Sequence, residues 1–293
     1  MWRLLDLLSR FRDALPTSPS ALRLSLLLLW ASQSLGGLPH AEQMGLPHEA
    51  VAFRMAAEVV SRSFSAEGAR EGFADLQGLQ TVATVLQYIS RLPMAELACF
   101  DDIYSRAVAA GVQLLSSLVL HHHALAHEFV QHDGLQMIAD RHLLSAALVR
   151  DEQGNAKDSD RTHVVMDSLL IVSQLARLSK EYYPMLLRMN LGKDLRGLLT
   201  CSNTSVRAKT CNVIGNMARH SSAFYGMLQE AGALPCLALL CEDDDPMCRK
   251  FASFAVGNCA FHSDLLYRDL CSSVPQLLRL LEDPEEKTRA NAA

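Results

Sequence analysis

The chain has 293 residues, 49% of them apolar and 6% aromatic, which suffices for one or two globular domains or one elongated array. Its formal net charge of −5 argues against a nucleic-acid-binding protein, because such proteins carry an excess of basic residues. Leu and Ala are abundant while Gly and Pro are sparse, and this composition favours an all-α fold.

The first 75 residues begin with an amphipathic helix predicted over residues 1–15, followed by the most apolar run of the chain at residues 22–31. That run is too short to cross a bilayer, which requires about 20 apolar residues. A secretory signal is the alternative, but the region before the run is long and contains Asp6 and Asp13, which is atypical of signal peptides. We therefore expect helices and a polar linker in residues 1–75, without a membrane span.

The next region, residues 76–149, has the periodicity of degenerate repeat-like helices. It is followed by a polar, Gly-containing segment at residues 150–161 (RDEQGNAKDSDR), which predicts an inserted surface loop. Individual helices are predicted over residues 50–63, 75–91, 95–120, 122–132 and 134–149.

A histidine cluster, HHHALAHEFVQH, occupies residues 121–132. His123 and His127 are four residues apart, as two zinc ligands on one helix face would be. The segment His127–His132 is one residue too long for the H-E-x-x-H pattern of metalloproteases, and a helix turns the extra residue away by about 100°. We therefore expect no metal site, and a zinc-dependent hydrolase built on this cluster is an alternative function.

The eight cysteines contain no C-x-x-C pair, and several, such as Cys259, occupy apolar positions of helical patterns. This distribution predicts small buried residues in a reducing compartment rather than disulfides or zinc ligands.

The C-terminal half of the chain repeats itself. Residues 206–228 (VRAKTCNVIGNMARHSSAFYGML) align with residues 248–270 (CRKFASFAVGNCAFHSDLLYRDL) at an offset of 42 residues, and residues 164–186 continue the pattern with Ser173-Gln174 in place of Gly-Asn. A helical unit repeated at about 40–47 residues is typical of armadillo and HEAT proteins. The predicted fold is an all-α, armadillo- or HEAT-like right-handed α-solenoid of about 42-residue three-helix repeats.

Each repeat has the same predicted order of elements: a short first helix (222–231 and 264–272), a second helix with proline in its first turn, an acidic turn and a third helix. The acidic turn places carboxylates at the positive N-terminus of the third helix. Armadillo-like repeats are therefore predicted over residues 162–293. The last repeat is truncated at Ala293, so we expect the chain to be a fragment.

Three strings, VRAKTCNVIGNMARHSSAFY, CRKFASFAVGNCAFHS and DPEEKTRANAA, resemble the C-terminal armadillo region of Fused-type serine/threonine kinases, most strongly over residues 190–293. The resemblance implies a parent kinase whose catalytic domain lies outside this chain, because the sequence has no H-R-D, D-F-G or Gly-rich phosphate loop. We therefore expect these residues to be neither an enzyme nor a cofactor-binding protein; ATP would serve only a kinase domain elsewhere.

The same resemblance implies a cytoplasmic scaffold, at the cytoskeleton or the cilium, that docks other proteins along a concave groove. Kinesin-like motors and Hedgehog-pathway or ciliary proteins are the implied partners, and in plants the family acts at the cell-division plate. A stand-alone armadillo adaptor without any kinase link is an alternative, and so is a structural solenoid that holds a kinase domain inactive in cis.

In armadillo proteins the third helices line the groove, where an Asn amide holds the backbone of an extended peptide through its donor and its acceptor. Asn216 and Asn258 take this place by motif, with Gln174 in the earlier repeat. The alternative is that each Asn bonds only neighbouring groups within the solenoid. Residues four before and three after share the same helix face, so the predicted partner-binding groove comprises Leu170, Gln174, Arg177, Asn212, Asn216, Arg219, Phe254, Asn258 and Phe261.

Charge and small residues give further expectations for the repeats. Residues 161–220 carry 9 basic and 3 acidic residues, so this stretch, which includes Arg207, either meets an acidic partner or forms a solvated helix face. His220 and His262 are predicted to cap the ends of their own third helices.

Gly215 and Gly257 are expected to allow close approach of neighbouring helices.

Overall fold

Residues 46–65, 76–92, 103–149 and 159–293 are described by the computed structural model. Within these ranges the regular elements are helices and no strand occurs, so the predicted all-α fold is confirmed. The chain forms two compact units that divide between Arg141 and His142, ahead of the boundary predicted at residues 150–161. The helix predicted over residues 1–15, the apolar run at 22–31 and Cys99 lie outside the described residues.

The first unit contains five described helices. Phe53 of α1 stacks on Tyr88 of α2 with ring centroids 3.9 Å apart, and both rings are buried. The guanidinium of the buried Arg141 donates hydrogen bonds to the carbonyls of Ile89 at 2.6 Å and Leu92 at 2.7 Å. These bonds add to the one that the Ile89 carbonyl accepts from the Leu92 N–H at 3.3 Å, and they help to satisfy the carbonyls at the end of α2. The helices are α1 (Leu46–Ser65), α2 (Leu76–Arg91), α3 (Ile103–His121), α4 (His123–Gln131) and α5 (Gly134–Asp140).

One helix boundary in this region was predicted wrongly. The helix expected over residues 134–149 ends at Asp140. The backbone of His142 has a φ of 51°, a left-handed conformation that stops an α-helix, and only a short 3₁₀ turn, Ala146–Leu148, follows. Leu143, Leu144 and Leu148 are buried outside any α-helix, and this is why the apolar spacing of the sequence continued through residues 143–149.

The second unit consists of three-helix repeats. Helix α6 (Ser159–Leu178) is a third helix, and it begins inside the segment predicted as a loop over residues 150–161. Three repeats follow it, each with a short first helix, a second helix and a third helix. They are α7 (Tyr183–Arg188), α8 (Gly192–Leu199) and α9 (Thr204–Ala218); α10 (Tyr225–Glu230), α11 (Ala233–Leu240) and α12 (Pro246–Phe261); α13 (Tyr267–Leu270), α14 (Val274–Leu280) and α15 (Glu286–Ala292).

Polar side chains cap the starts of two third helices, and the one at Asp245 lies in a predicted acidic turn. Asn203 accepts a hydrogen bond from the N–H of Val206 at 3.1 Å, and Asp245 accepts one from Cys248 at 2.8 Å, so both are N-caps. The carboxylate predicted at the start of α12 is therefore confirmed. The first helices are shorter than expected: α10 covers residues 225–230 and α13 only 267–270, the latter flanked by 3₁₀ turns.

The core of the repeats is formed by aromatic and aliphatic side chains at their junctions. Phe224 and Tyr225 are fully buried, and Tyr183 meets the Phe224 ring edge-on at 4.7 Å. The hydroxyl of Tyr225 donates to the carbonyl of Asn258 at 2.6 Å and accepts from the N–H of His262 at 3.3 Å. The start of the first helix in this repeat is thus joined to the end of its third helix.

Among the helices of the described ranges, none combines the length and the hydropathy needed to span a bilayer.

Candidate protein-binding face on the third helices

The predicted groove residues lie on α6, α9 and α12, which pack side by side with α9 in the middle. Close packing at Gly215 brings α12 near α9: a Cβ added there would lie 2.4 Å from the Phe254 ring and 3.4 Å from the Cα of Ala255. The expectation of close approach is confirmed at Gly215 but not at Gly257. The nearest atom to a Cβ at Gly257 is the Asn291 carbonyl oxygen at 3.9 Å.

Asn216 bonds to the neighbouring third helix. Its Nδ2 donates to the Oγ of Ser173 at 2.8 Å and to the Oδ1 of Asn212 at 3.2 Å, and the Ser173 hydroxyl donates to the same Asn212 oxygen at 3.1 Å. Asn216 is 6% exposed. The three polar groups form a closed cluster that bridges α6 and α9, so the Asn216 amide nitrogen has a structural role.

Asn258 repeats this bridge in the next repeat. Its Nδ2 donates to the Gly215 carbonyl at 2.9 Å, and Asn291 donates in the same way to Lys250 at 3.0 Å. The Oδ1 atoms of Asn216 and Asn258 accept no hydrogen bond from any residue that the structure describes. Each amide therefore uses its donor within the solenoid and leaves its acceptor open.

The remaining groove residues differ in exposure. Leu170, Asn212 and Phe254 are half-buried, whereas Arg177, Arg219 and Phe261 are exposed. Gln174 is buried and accepts hydrogen bonds from the Arg177 guanidinium at 2.7 and 3.3 Å. Phe261 is 76% exposed, and the ring of His262 stands nearly perpendicular to it at 5.0 Å. The face thus presents arginine at the ends of α6 and α9 and phenylalanine at the end of α12.

An arginine ladder at the starts of the third helices was not predicted as such. The guanidinium of Arg207 bonds Asp243 at 2.9 Å and the carbonyl of Ser202 at 2.8 Å, and Arg249 bonds Asp283 at 2.7 Å and the carbonyl of Asp243 at 3.0 Å. Arg207 is therefore held within the solenoid by an ion pair, a role that neither alternative for the basic stretch, an acidic partner or a solvated helix face, included. The sequence did contain a signal for these ion pairs, because the arginines and the acidic turns recur with nearly the same spacing.

The two histidines cap the neighbouring third helix rather than their own. The Nε2 of His220 lies 3.1 Å from the carbonyl oxygen of Arg177, and that of His262 lies 3.0 Å from the carbonyl oxygen of Arg219. Each imidazole thereby satisfies a carbonyl at the end of the preceding third helix. The capping function was predicted correctly, but the helix that receives the cap was not.

One histidine of the cluster in the first unit contacts a glutamate of the same cluster. His132 Nε2 lies 2.8 Å from Oε1 of Glu128 on the same helix. His123 and His127 are exposed. No group of three potential metal ligands occurs in the part of the chain that the structure describes.

Four cysteines of the repeats are buried, as expected: Cys211, Cys241, Cys248 and Cys259. Burial raises the pKa of the thiols of Cys241, Cys248 and Cys259 to about 12, because the interior disfavours the thiolate. Cys271 departs from the expectation, since it is exposed.

No family model matches the chain. It is 32% identical to serine/threonine-protein kinase 36 of Pongo abelii over 227 residues, a match that covers 75% of this chain. It is 30% identical to serine/threonine-protein kinase 36 of Mus musculus over 223 residues, and this match covers 74% of this chain. The chain spans 16% of the length of each kinase, and the matched segment is not the kinase domain.

Solved structures with low sequence identity share the fold. A designed armadillo repeat protein superposes with a TM-score of 0.63 at 17% identity, covering 90% of this chain and 96% of that protein. A second designed armadillo repeat protein, in complex with the peptide (KR)4, gives a TM-score of 0.61 at 16% identity, with coverages of 90% and 96%. The sequence relatives and the shared fold show that this chain is an armadillo-repeat region related to the non-kinase part of Fused-type serine/threonine kinases.

Proposed function

We propose that the third-helix face of the repeats binds an extended segment of a partner protein, so that the region serves as an interaction scaffold of a Fused-type kinase. The kinase domain would lie outside this chain and would supply the only need for ATP. A cytoplasmic location and partners such as kinesin-like or signalling proteins are part of the same proposal.

The observation that carries the proposal is the row of side chains exposed on the third helices. Phe261 is 76% exposed, although a phenylalanine side chain gains about 1.5–3 kcal/mol from full burial. Arg177 and Arg219 occupy the equivalent positions, 84 and 42 residues earlier, and are exposed as well. A partner that covers this row would bury the ring and reach the two guanidinium groups.

The open amide acceptors add a second reason. An extended segment carries unpaired backbone N–H groups that need acceptors when water is displaced. The Oδ1 atoms of Asn216 and Asn258 lie on this face, and their own amide nitrogens are already fixed by Ser173 and Gly215. Amides held in this way lose little side-chain entropy on binding, which favours affinity. A designed armadillo repeat protein was solved in complex with the peptide (KR)4, which supports peptide binding by a chain of this fold.

The experiment is a selection of binding peptides from a random peptide library displayed on phage, followed by affinity measurements with the purified chain. Phe261→Ala should weaken binding of the selected peptides at least fivefold, without loss of helicity, because the ring is exposed. Leu239→Ala is the matched control, since Leu239 is 68% exposed on the second helix α11. Equal affinity of both variants and the unchanged chain would refute the proposed face.

Asn216→Ala and Asn258→Ala test in the same assay whether the side-chain amides of these two residues bind the peptide. Both substitutions also remove inter-helix hydrogen bonds, so each variant is compared at a temperature at least 15 °C below its own melting transition. Reduced affinity at full helicity supports peptide binding by the amides. Unchanged affinity assigns them a structural role only.

A further inference from the structure

One row of the face has a distinctive charge pattern. Arg177, Arg219 and Phe261 occupy the same position of α6, α9 and α12 at intervals of 42 residues, and all three are exposed. Since α9 packs against both α6 and α12, the three side chains are neighbours in sequence order across the face.

The arginines of this row differ from those at the starts of the third helices. Arg207 and Arg249 each form an ion pair with an aspartate of the next acidic turn. Arg177, in contrast, donates to the uncharged amide of Gln174. The guanidinium of Arg219 has no hydrogen-bond or ion-pair partner among the described residues. The arginines at the starts of the third helices are thus paired with carboxylates, whereas no described carboxylate pairs with Arg177 or Arg219.

Two other cations of the third helices have a carboxylate as counter-charge. Lys250 on α12 is bonded to Glu285 at 2.7 Å. The carboxylate of Asp167 on α6 interacts electrostatically with Lys209 of α9. Arg177 and Arg219, at the ends of α6 and α9, are the basic side chains among the predicted groove residues.

The face becomes aromatic on α12. Phe254 and Phe261 are seven residues apart, two helical turns on one side of the helix. Phe254 is half-buried against Gly215, whereas Phe261 projects into solvent. A basic pair beside an aromatic pair selects a ligand with the complementary order of side chains.

We propose that the partner segment is acidic where it crosses α6 and α9 and carries an aromatic or large aliphatic side chain where it crosses α12. Packed helices lie about 8–10 Å apart, and an extended chain advances about 3.3 Å per residue, so its contact residues are two or three positions apart. This inference rests on the proposed function, since it assigns a chemical class to the ligand of the same face.

The test uses fluorescein-labelled peptides and fluorescence anisotropy with the purified chain. The acidic–aromatic probes are EDEDSFSF and its reverse, FSFSDEDE, because the direction of the segment on the face is open. The basic probes are KRKRSFSF and (KR)4. We expect an acidic–aromatic probe to bind at least tenfold more tightly than either basic probe, and to weaken as sodium chloride rises from 50 to 300 mM.

Variants connect this preference to the two arginines. The double substitution Arg177→Ala and Arg219→Ala should weaken binding of the acidic probe at least tenfold and should not weaken binding of KRKRSFSF, because it removes like-charge repulsion from the basic probe. Arg188→Ala with Arg196→Ala is the control, because these arginines are exposed on the first and second helices. Since both pairs are exposed, all variants should retain the melting temperature of the unchanged chain.

The outcomes separate the two proposals. If KRKRSFSF binds as tightly as the acidic probes and is weakened by Phe261→Ala but not by the arginine pair, the acidic preference is wrong and the binding face stands. If none of the probes binds at 1 mM and phage selection also yields no Phe261-dependent peptide, both proposals fail.

Discussion

The Nε of Arg249 lies 2.7 Å from the carboxylate of Asp283, a residue 34 positions later. The same guanidinium donates to the carbonyls of Asp243 and Asp244 at 3.0 Å. One side chain therefore joins the acidic turn before its own helix to the acidic turn of the next repeat. Arg207 makes the equivalent contacts with Asp243 and with the carbonyls of Cys201 and Ser202, so the link is a repeated element of the fold.

This ion pair predicts an acid-dependent loss of stability. Burial by itself would raise the pKa of Asp283, but hydrogen bonds from Arg249 and from the Glu285 N–H, with the charges of Arg249 and Arg289, lower that pKa below 3.8. A carboxyl whose folded-state pKa is lowered stabilises the fold above its unfolded pKa, near 4, and loses this contribution as pH falls through the folded value. Asp283→Asn should therefore reduce the melting temperature at pH 7 and flatten its decline between pH 5 and pH 2. Asp244→Asn, at an exposed residue of the preceding turn, is the control, and an identical acid profile for the two variants would contradict the prediction.

The two glycines of the Gly-Asn motif should respond to alanine with opposite signs. At Gly215 a new methyl group would lie 2.4 Å from the Phe254 ring, so the ring and the packed helix must move, at a cost of about 1–3 kcal/mol. At Gly257 the nearest atom is 3.9 Å away, and the gain in helix propensity is up to about 1 kcal/mol. Chemical denaturation of Gly215→Ala and Gly257→Ala measures both effects. A stabilised Gly215→Ala variant would show that the contact relaxes freely.

Burial of second-helix leucines should decide their contribution to stability. Leu237 of α11 is fully buried, whereas Leu278 of α14 is 62% exposed. Leu237→Ala should cost about 2–5 kcal/mol, and Leu278→Ala less than about 1 kcal/mol. Urea unfolding of the whole chain followed by far-UV circular dichroism provides the comparison. A similar loss in both variants would indicate that α14 is covered in solution.

Thiol reactivity should separate the cysteines by burial. The buried thiol of Cys259 has a pKa raised to about 12, so it holds almost no thiolate at pH 8, and access is blocked as well. Cys271 is exposed. Brief treatment with iodoacetamide at pH 8 should modify Cys271 and spare Cys211, Cys241, Cys248 and Cys259, as read by peptide mass spectrometry. In 6 M guanidinium all five should react, and early modification of the buried four in the native chain would contradict the structure.

The repeat pattern by itself determined the fold class and the order of elements in the second half of the chain. The 42-residue offset that aligns Gly215 with Gly257, and Asn216 with Asn258, reflects side chains that must meet the same neighbours in each repeat. Helix starts followed as well, because a cap such as Asp245 acts on backbone N–H groups within three residues of itself. These features depend on short-range spacing, which a sequence records directly.

Only the tertiary structure showed which residue of the neighbouring repeat each side chain contacts. Periodicity places Arg207 and Arg219 on helix faces, but it does not reveal that Arg207 is bound by Asp243, whereas Arg219 has no carboxylate partner among the residues that the structure describes. It likewise aligns Leu234 with Val274 at an offset of 40, although the first is 1% and the second 50% exposed. In α11 the covering element is α13 with its 3₁₀ turn. Burial and pairing depend on what packs against a face, and that information lies in the neighbouring repeat rather than in the residue itself.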